Sequence, residues 1–185
     1  MLTAATATLR QLGPRRFSLT AVAEAAGVSR GTVHNALGTR DDAIAAALDQ
    51  LSTGFIATMA AEVNGQATLA EQVAAAAALI STHRRESAGK PLGVNQGVLV
   101  LLLENGGEDL MRRSVELWIP LVRAAQRSGE VAAEIDPGRA GEWIVRMLFS
   151  FELLPSIRVN LDSPRAVRRF VSDHIVTGLR GACRD

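Results

Sequence analysis

The folds open to this chain are limited most by the punctuation of its first forty residues, where helix-stopping glycines and helix-starting serines recur at short intervals. Leu2, Ala5, Leu9 and Leu12 have helical spacing, and their segment stops at Gly13-Pro14, a C-cap glycine followed by a helix-incompatible residue. Ser18 then caps a helix expected to reach Ala26. Gly27-Val28 breaks it, Ser29 caps the next as far as Leu37, and Gly38-Thr39 restarts the chain. Two helices separated only by Gly27-Val28-Ser29 have the spacing of a helix-turn-helix. Val22, Ala26, Val28 and Val33 are apolar where such helices pack, Ala23 is small where they cross, and Gly27 suits a turn that needs a positive φ.

The remaining sequence reads as longer helices. Residues 41–63 carry Ile44, Leu48, Leu51, Phe55 and Met59 on one face and end at Asn64-Gly65. Further helices are expected over 68–87, 94–103 (ending at Asn105-Gly106-Gly107), 108–128 with Pro120 inside, 138–154 and 165–179. Asp136-Pro137 and Ser163-Pro164 are cap-then-proline starts for the last two. The expected architecture is all-α with about nine helices. The alanines at 74–78 read simply as strong helix formers.

Bulk properties mostly exclude. Cys183 has no partner for a disulfide, and the strongest apolar run, at 98–103, is far short of a membrane span. The start lacks the basic region of a signal peptide, so the expectation is a cytoplasmic protein with no membrane partner. The net charge of +1 conceals an asymmetry. Arg10, Arg15, Arg16, Arg30 and Arg40 face only Glu24 in the first forty residues, a local +4, and the rest carries −3. Solvated surface arginines would explain that charge alone. Combined with the helix-turn-helix it points to duplex DNA, with Arg30, Thr32, His34 and Asn35 exposed on the second helix to meet phosphates or base edges.

The string from Phe17 to Asp41, with Val22-Ala23, Ala26-Gly27-Val28-Ser29, Gly31-Thr32 and Gly38-Thr39-Arg40 in order, resembles the TetR family of bacterial transcriptional regulators. The resemblance covers about a quarter of the chain. It implies a DNA-binding domain over 1–45, contacting DNA through Ser18, Ser29, Arg30, Thr32, His34, Asn35, Thr39 and Arg40, and a ligand-binding and dimerisation domain over 46–185. His34 stands where the family has a tyrosine that touches phosphate, Leu37 stands for a phenylalanine, and Arg40 stands for a phosphate-binding lysine. Met1 falls inside the first helix that the resemblance implies, so either the true start lies upstream or the basic arm of many relatives is missing, and minor-groove contacts from an arm are not expected.

The same resemblance implies repression relieved when a small molecule alters the spacing of two recognition helices, with the long helix after Arg40 transmitting the shift. Candidate ligand contacts are Phe55, Met59, Leu79, Leu101, Trp118 and Val122, with His83 as a polar anchor. Few aromatics suggest an aliphatic pocket and a mainly apolar ligand. Core packing alone would also account for each of these side chains. The helix over 138–154 is apolar round most of its circumference, which suits a homodimer built from the last two helices through Trp143, Met147, Phe151, Val167, Phe170, Val171 and His174. An enzyme and a helix-turn-helix used only for protein interaction are the competing classes. Neither a phosphate-binding glycine motif, a nucleophile elbow nor a metal-ligand spacing is found, so no catalytic residue, cofactor or metal is assigned.

Overall fold

The computed structural model describes residues 1–87, 98–174 and 179, except for the side chains of 83–87 and 98. Among the described residues the chain is all-α, with eight helices: α1 (Leu2–Arg16), α2 (Leu19–Ala26), α3 (Arg30–Leu37), α4 (Arg40–Asn64), α5 (Leu69–Ser87), α6 (Val98–Arg127), α7 (Pro137–Leu153) and α8 (Pro164–His174). The ninth expected helix is absent as a separate element because α6 runs through Gly106-Gly107. Gly106 leaves helical geometry (φ −170°, ψ 35°), so the expected joint survives as a kink and not as a loop. Backbone angles at Pro120 stay helical. Gly13 likewise breaks α1 internally at φ 69°. Residues 94–97 and 175–178 of the expected helices, and Cys183, lie outside the described residues.

Two compact units are formed: Met1–Phe55 with Ser87–Gly107, and Ile56–Glu86 with Glu108–Asp185. In the first, Ala5, Leu9, Phe17, Leu19, Val22, Ala23, Val33, Ala43 and Ala47 are buried. Each of these helices turns a narrow apolar face inward. α3 fully buries Val33 alone, with Leu37 one turn later half-buried, which leaves the opposite side of the helix exposed. Val28, expected to pack, is 38% exposed. It follows left-handed Gly27, and the turn is held by backbone bonds from Gly27 N–H to Glu24 and from Val28 N–H to Ala23, without its side chain.

In the second unit α5 is central. Ala74–Ala78 are all buried, so these alanines are core residues surrounded on every side, not merely helix formers. The start of α5 is closed twice. Thr68 and Glu71 form a capping box, Glu71 accepting from Thr68 N–H at 3.1 Å and Thr68 Oγ1 from Glu71 N–H at 3.2 Å. The Glu130 carboxylate accepts from Leu69 N–H and Ala70 N–H, both at 2.8 Å. Ser81 donates to the Leu161 carbonyl. Gln126 Nε2 gathers the carbonyls of Ala132, Ala133 and Ile135, fixing the turn between α6 and α7. Asp136 caps α7 as expected, accepting from Arg139 N–H at 2.8 Å. Where α7 meets α6, a Cβ on Gly141 would sit 3.4 Å from the Val115 carbonyl, so the helices approach closely there.

α4 is the one helix among the described residues long and apolar enough in composition to cross a bilayer. Much of that apolarity is alanine, and Asp49 interrupts it.

Candidate nucleic-acid interface

The second helix of the motif is built to present its N-terminal half. Ser29 Oγ accepts from Thr32 N–H at 3.1 Å and pairs with Thr32 Oγ1 at 2.9 Å, closing the first turn of α3. Ser18 does the same for α2, accepting from Ala21 N–H at 3.1 Å. With Val33 buried, Ser29, Arg30, Gly31, Thr32, His34 and Asn35 are all exposed. Arg30 has no ion-pair partner among the described residues.

Ser18, Arg30, His34, Thr39 and Arg40 are brought together around one cavity of about 370 Å³, whose remaining wall is Leu19 and Thr20. Five of the eight residues assigned from sequence therefore converge there. Ser29, Thr32 and Asn35 lie outside its lining.

Hydrogen bonding distinguishes these side chains. His34 Nδ1 lies 2.9 Å from the Gly38 carbonyl. A carbonyl can only accept, so Nδ1 carries the proton and Nε2 is the nitrogen left for a partner. Thr39 is the N-cap of α4: its hydroxyl donates to Asp42 Oδ2 at 2.6 Å, its N–H donates to the same oxygen at 2.9 Å, and Asp42 N–H returns to Thr39 Oγ1 at 3.3 Å. The Thr39 hydroxyl, then the Thr39 N–H, hold the Asp42 carboxyl below the ordinary carboxylate range, outweighing an opposing desolvation, with a lesser contribution from His34.

Arg40 departs furthest from the expectation of a simple phosphate ligand. Its Nε donates to the Phe17 carbonyl at 3.0 Å, one terminal nitrogen donates to the Pro14 carbonyl, and the other pairs with Asp41 at 3.0 Å. Its guanidinium thus ties the start of α4 to the end of α1 and to Phe17, the residue that follows it. No sequence rule signals this, since the contacts are to backbone carbonyls 23 and 26 residues away.

The proposed ligand contacts divide between the two units. Phe55 and Leu101 belong to the first, half-buried and buried respectively. Met59, Leu79, Trp118 and Val122 belong to the second, where all but half-buried Leu79 are buried. The His83 side chain lies outside the described residues. Sequence reading missed Ser114, a buried α6 hydroxyl with no hydrogen-bond partner among the described residues, one helical turn before Trp118. Serine is too common on helices to have flagged it.

The residues assigned to a dimer face also divide. Phe151, Val167 and Val171 are buried inside the protomer, as are Ile144, Val145, Leu148 and Phe149. Trp143 (42%) and His174 remain exposed and Met147 and Phe170 half-buried, while Leu153, Leu154 and Ile157 add exposed apolar surface. Trp143 and Met147 lie one turn apart on α7, and Leu154 is the extended residue that follows it.

No protein-family model matches the sequence, and no curated protein is matched by it. Solved structures do match in fold. A TetR-family transcriptional regulator from Cytophaga hutchinsonii superposes with a TM-score of 0.68 at 15% identity, over 96% of this chain and 92% of that one. The transcriptional regulator FadR from Bacillus subtilis, in complex with stearoyl-CoA, gives 0.65 at 18% identity over 96% of each chain. A cysteine mutant of the TetR-family regulator CifR, bound to a 26-bp operator duplex, gives 0.62 at 18% identity over 97% of this chain and 93% of that one. This chain has the fold of the TetR-family regulators.

Proposed function

We propose that the chain is a TetR-family transcriptional regulator that acts as a cytoplasmic homodimer and binds a palindromic operator through α3. The observation that carries this reading is the convergence of Ser18, Arg30, His34, Thr39 and Arg40 beside an α3 that buries only Val33. A capped helix with one buried side chain and a row of exposed donors is what a major groove accommodates. The matched structures include one bound to operator DNA and one bound to an acyl-CoA, which supports DNA and a small molecule as partner classes.

In this reading residues 1–45 are the DNA-binding head and 46–185 the regulatory part. A dimer must hold its two α3 helices about 34–36 Å apart to enter successive major grooves. Trp143 and Met147 on α7, with Leu154 just beyond its end, supply the apolar face that pairs two protomers. A small, mainly apolar ligand received near Met59, Trp118 and Val122, with Ser114 as its polar contact, changes that spacing and releases the operator. α4, continuous from Arg40 to Asn64, links the head to the regulatory part.

Selection of bound sequences from random duplex DNA tests the reading. A palindrome is expected, with affinity falling steeply as salt rises. A chain that enriches no sequence and shows no salt-dependent binding is not a DNA-binding regulator.

A further inference from the structure

A second concave site lies in the second unit, around the start of α8, and its chemistry differs from that of an apolar effector pocket. It is a cavity of about 500 Å³ whose wall includes Arg158, Arg165, Arg169, Asn160, Ser163 and His174. Arg165 and Arg169 lie one turn apart on α8, and Arg158 reaches the site from the preceding loop. All three are exposed, and among the described residues none has an ion-pair partner. That contrasts with Arg112, Arg113, Arg146 and Arg168, each of which pairs with a carboxylate. The one carboxylate in the wall, Asp173, already has an interaction of its own.

The charge placement is unfavourable without a partner. Helix N-termini favour acidic residues in the first turn, yet α8 has none there and carries Arg165 at its second position. Like charges held in one concavity repel, and the cavity walls focus their field. Ser163 caps α8, accepting from Ala166 N–H at 3.3 Å, and the surplus of charged donors is in the guanidinium forks. His174 Nδ1 lies 3.0 Å from the Phe170 carbonyl and donates to it, which leaves Nε2 as its free nitrogen.

We infer that this cavity binds a small, multiply charged anion whose paired oxygens, phosphoryl or carboxyl, are held by the forks of Arg158, Arg165 and Arg169. None of its lining residues is among those assigned to DNA, and its assignment does not rest on the regulator reading. The test is calorimetric titration of the full chain, without DNA and at constant ionic strength, with pyrophosphate in one arm and citrate in the other. Saturable binding with Kd below about 1 mM is expected for at least one of them; the arm that binds more tightly tells phosphoryl from carboxyl. Arg165→Gln, Arg169→Gln and Arg158→Gln are each expected to weaken it about tenfold. Arg146→Gln, which removes a paired cation of α7, should leave it unchanged. All three cavity arginines are exposed, so these variants fold, and circular dichroism verifies this. Absence of saturable binding in both arms, or binding that is indifferent to the three cavity variants, overturns the inference.

Discussion

Replacing Arg40 by alanine separates two roles for this cation that sequence comparison merges. If it acts as a phosphate ligand, its loss flattens the slope of log affinity against log salt by about 0.9 and leaves folding untouched. The structure directs the guanidinium to the carbonyls of Pro14 and Phe17 instead. A charged donor on a carbonyl contributes about 1.5–3 kcal/mol when buried. The Arg40 side chain is 45% exposed, so the two bonds together should contribute roughly 1–2 kcal/mol after solvent screening. The pair with Asp41, itself 88% exposed, adds about nothing. For a chain of this length that corresponds to a fall in Tm of roughly 3–6 °C. Arg30→Ala is the matched control, because Arg30 is exposed and unpaired: it should flatten the salt slope by about 0.9 and leave Tm nearly unchanged. Fluorescence anisotropy on a selected duplex across a salt series, with calorimetric melting of the same preparations, gives both readouts. An Arg40→Ala protein that melts like the parent and loses a full unit of slope would refute the clamp.

Four other perturbations have defined outcomes. Asp42 has a depressed carboxyl pKa, so its contribution to stability is complete above the ordinary aspartate value of about 4 and is lost as pH falls through the lower folded value; Asp42→Asn should therefore flatten the acid limb of a Tm-against-pH profile. Gly38→Ala places a Cβ 2.7 Å from Asp42 Oδ2 at a φ of +76°, and chemical denaturation should register a loss of about 1–3 kcal/mol. Glu130→Ala removes the acceptor of two α5 N–H groups and should cost about 1–3 kcal/mol, read as a lower urea midpoint; an unchanged midpoint would mean that the Thr68–Glu71 box suffices. Ser114→Ala removes an unpartnered buried hydroxyl, so the free protein should be as stable or slightly more so, while effector release of DNA should need more ligand.

What was legible in the sequence followed from interactions that close within four residues. The caps at Ser18, Ser29 and Asp136 and the glycine at 27 stand where the side-chain and φ rules put them, because each satisfies its own neighbours. The exposure of Arg30, Thr32, His34 and Asn35 followed from Val33 being the one buried residue in a helix of eight. Contacts between distant segments were not legible. Nothing near Arg40 announces the carbonyls it reaches, and Val28 reads as core until the left-handed turn carries it outward. The alanine run at 74–78 has the same composition whether it faces water or neighbours; only the packing of α5 shows that it is interior. Phe151, Val167 and Val171 illustrate the converse, since apolar periodicity does not say whether a face is covered by the same chain or by a second copy.

The carboxylate of Glu130 at the head of α5 also bears on the order in which the chain assembles. Its two acceptor contacts close a loop of about sixty residues, a far larger entropic step than the local Thr68–Glu71 box. The nascent helix can therefore start early on its local cap and stay frayed at that end until the turn after α6 docks. Contacts that form after the folding transition state slow escape from the native state more than they speed arrival. Glu130 is thus placed to act as a kinetic latch, lengthening the lifetime of the folded unit out of proportion to its share of the stability.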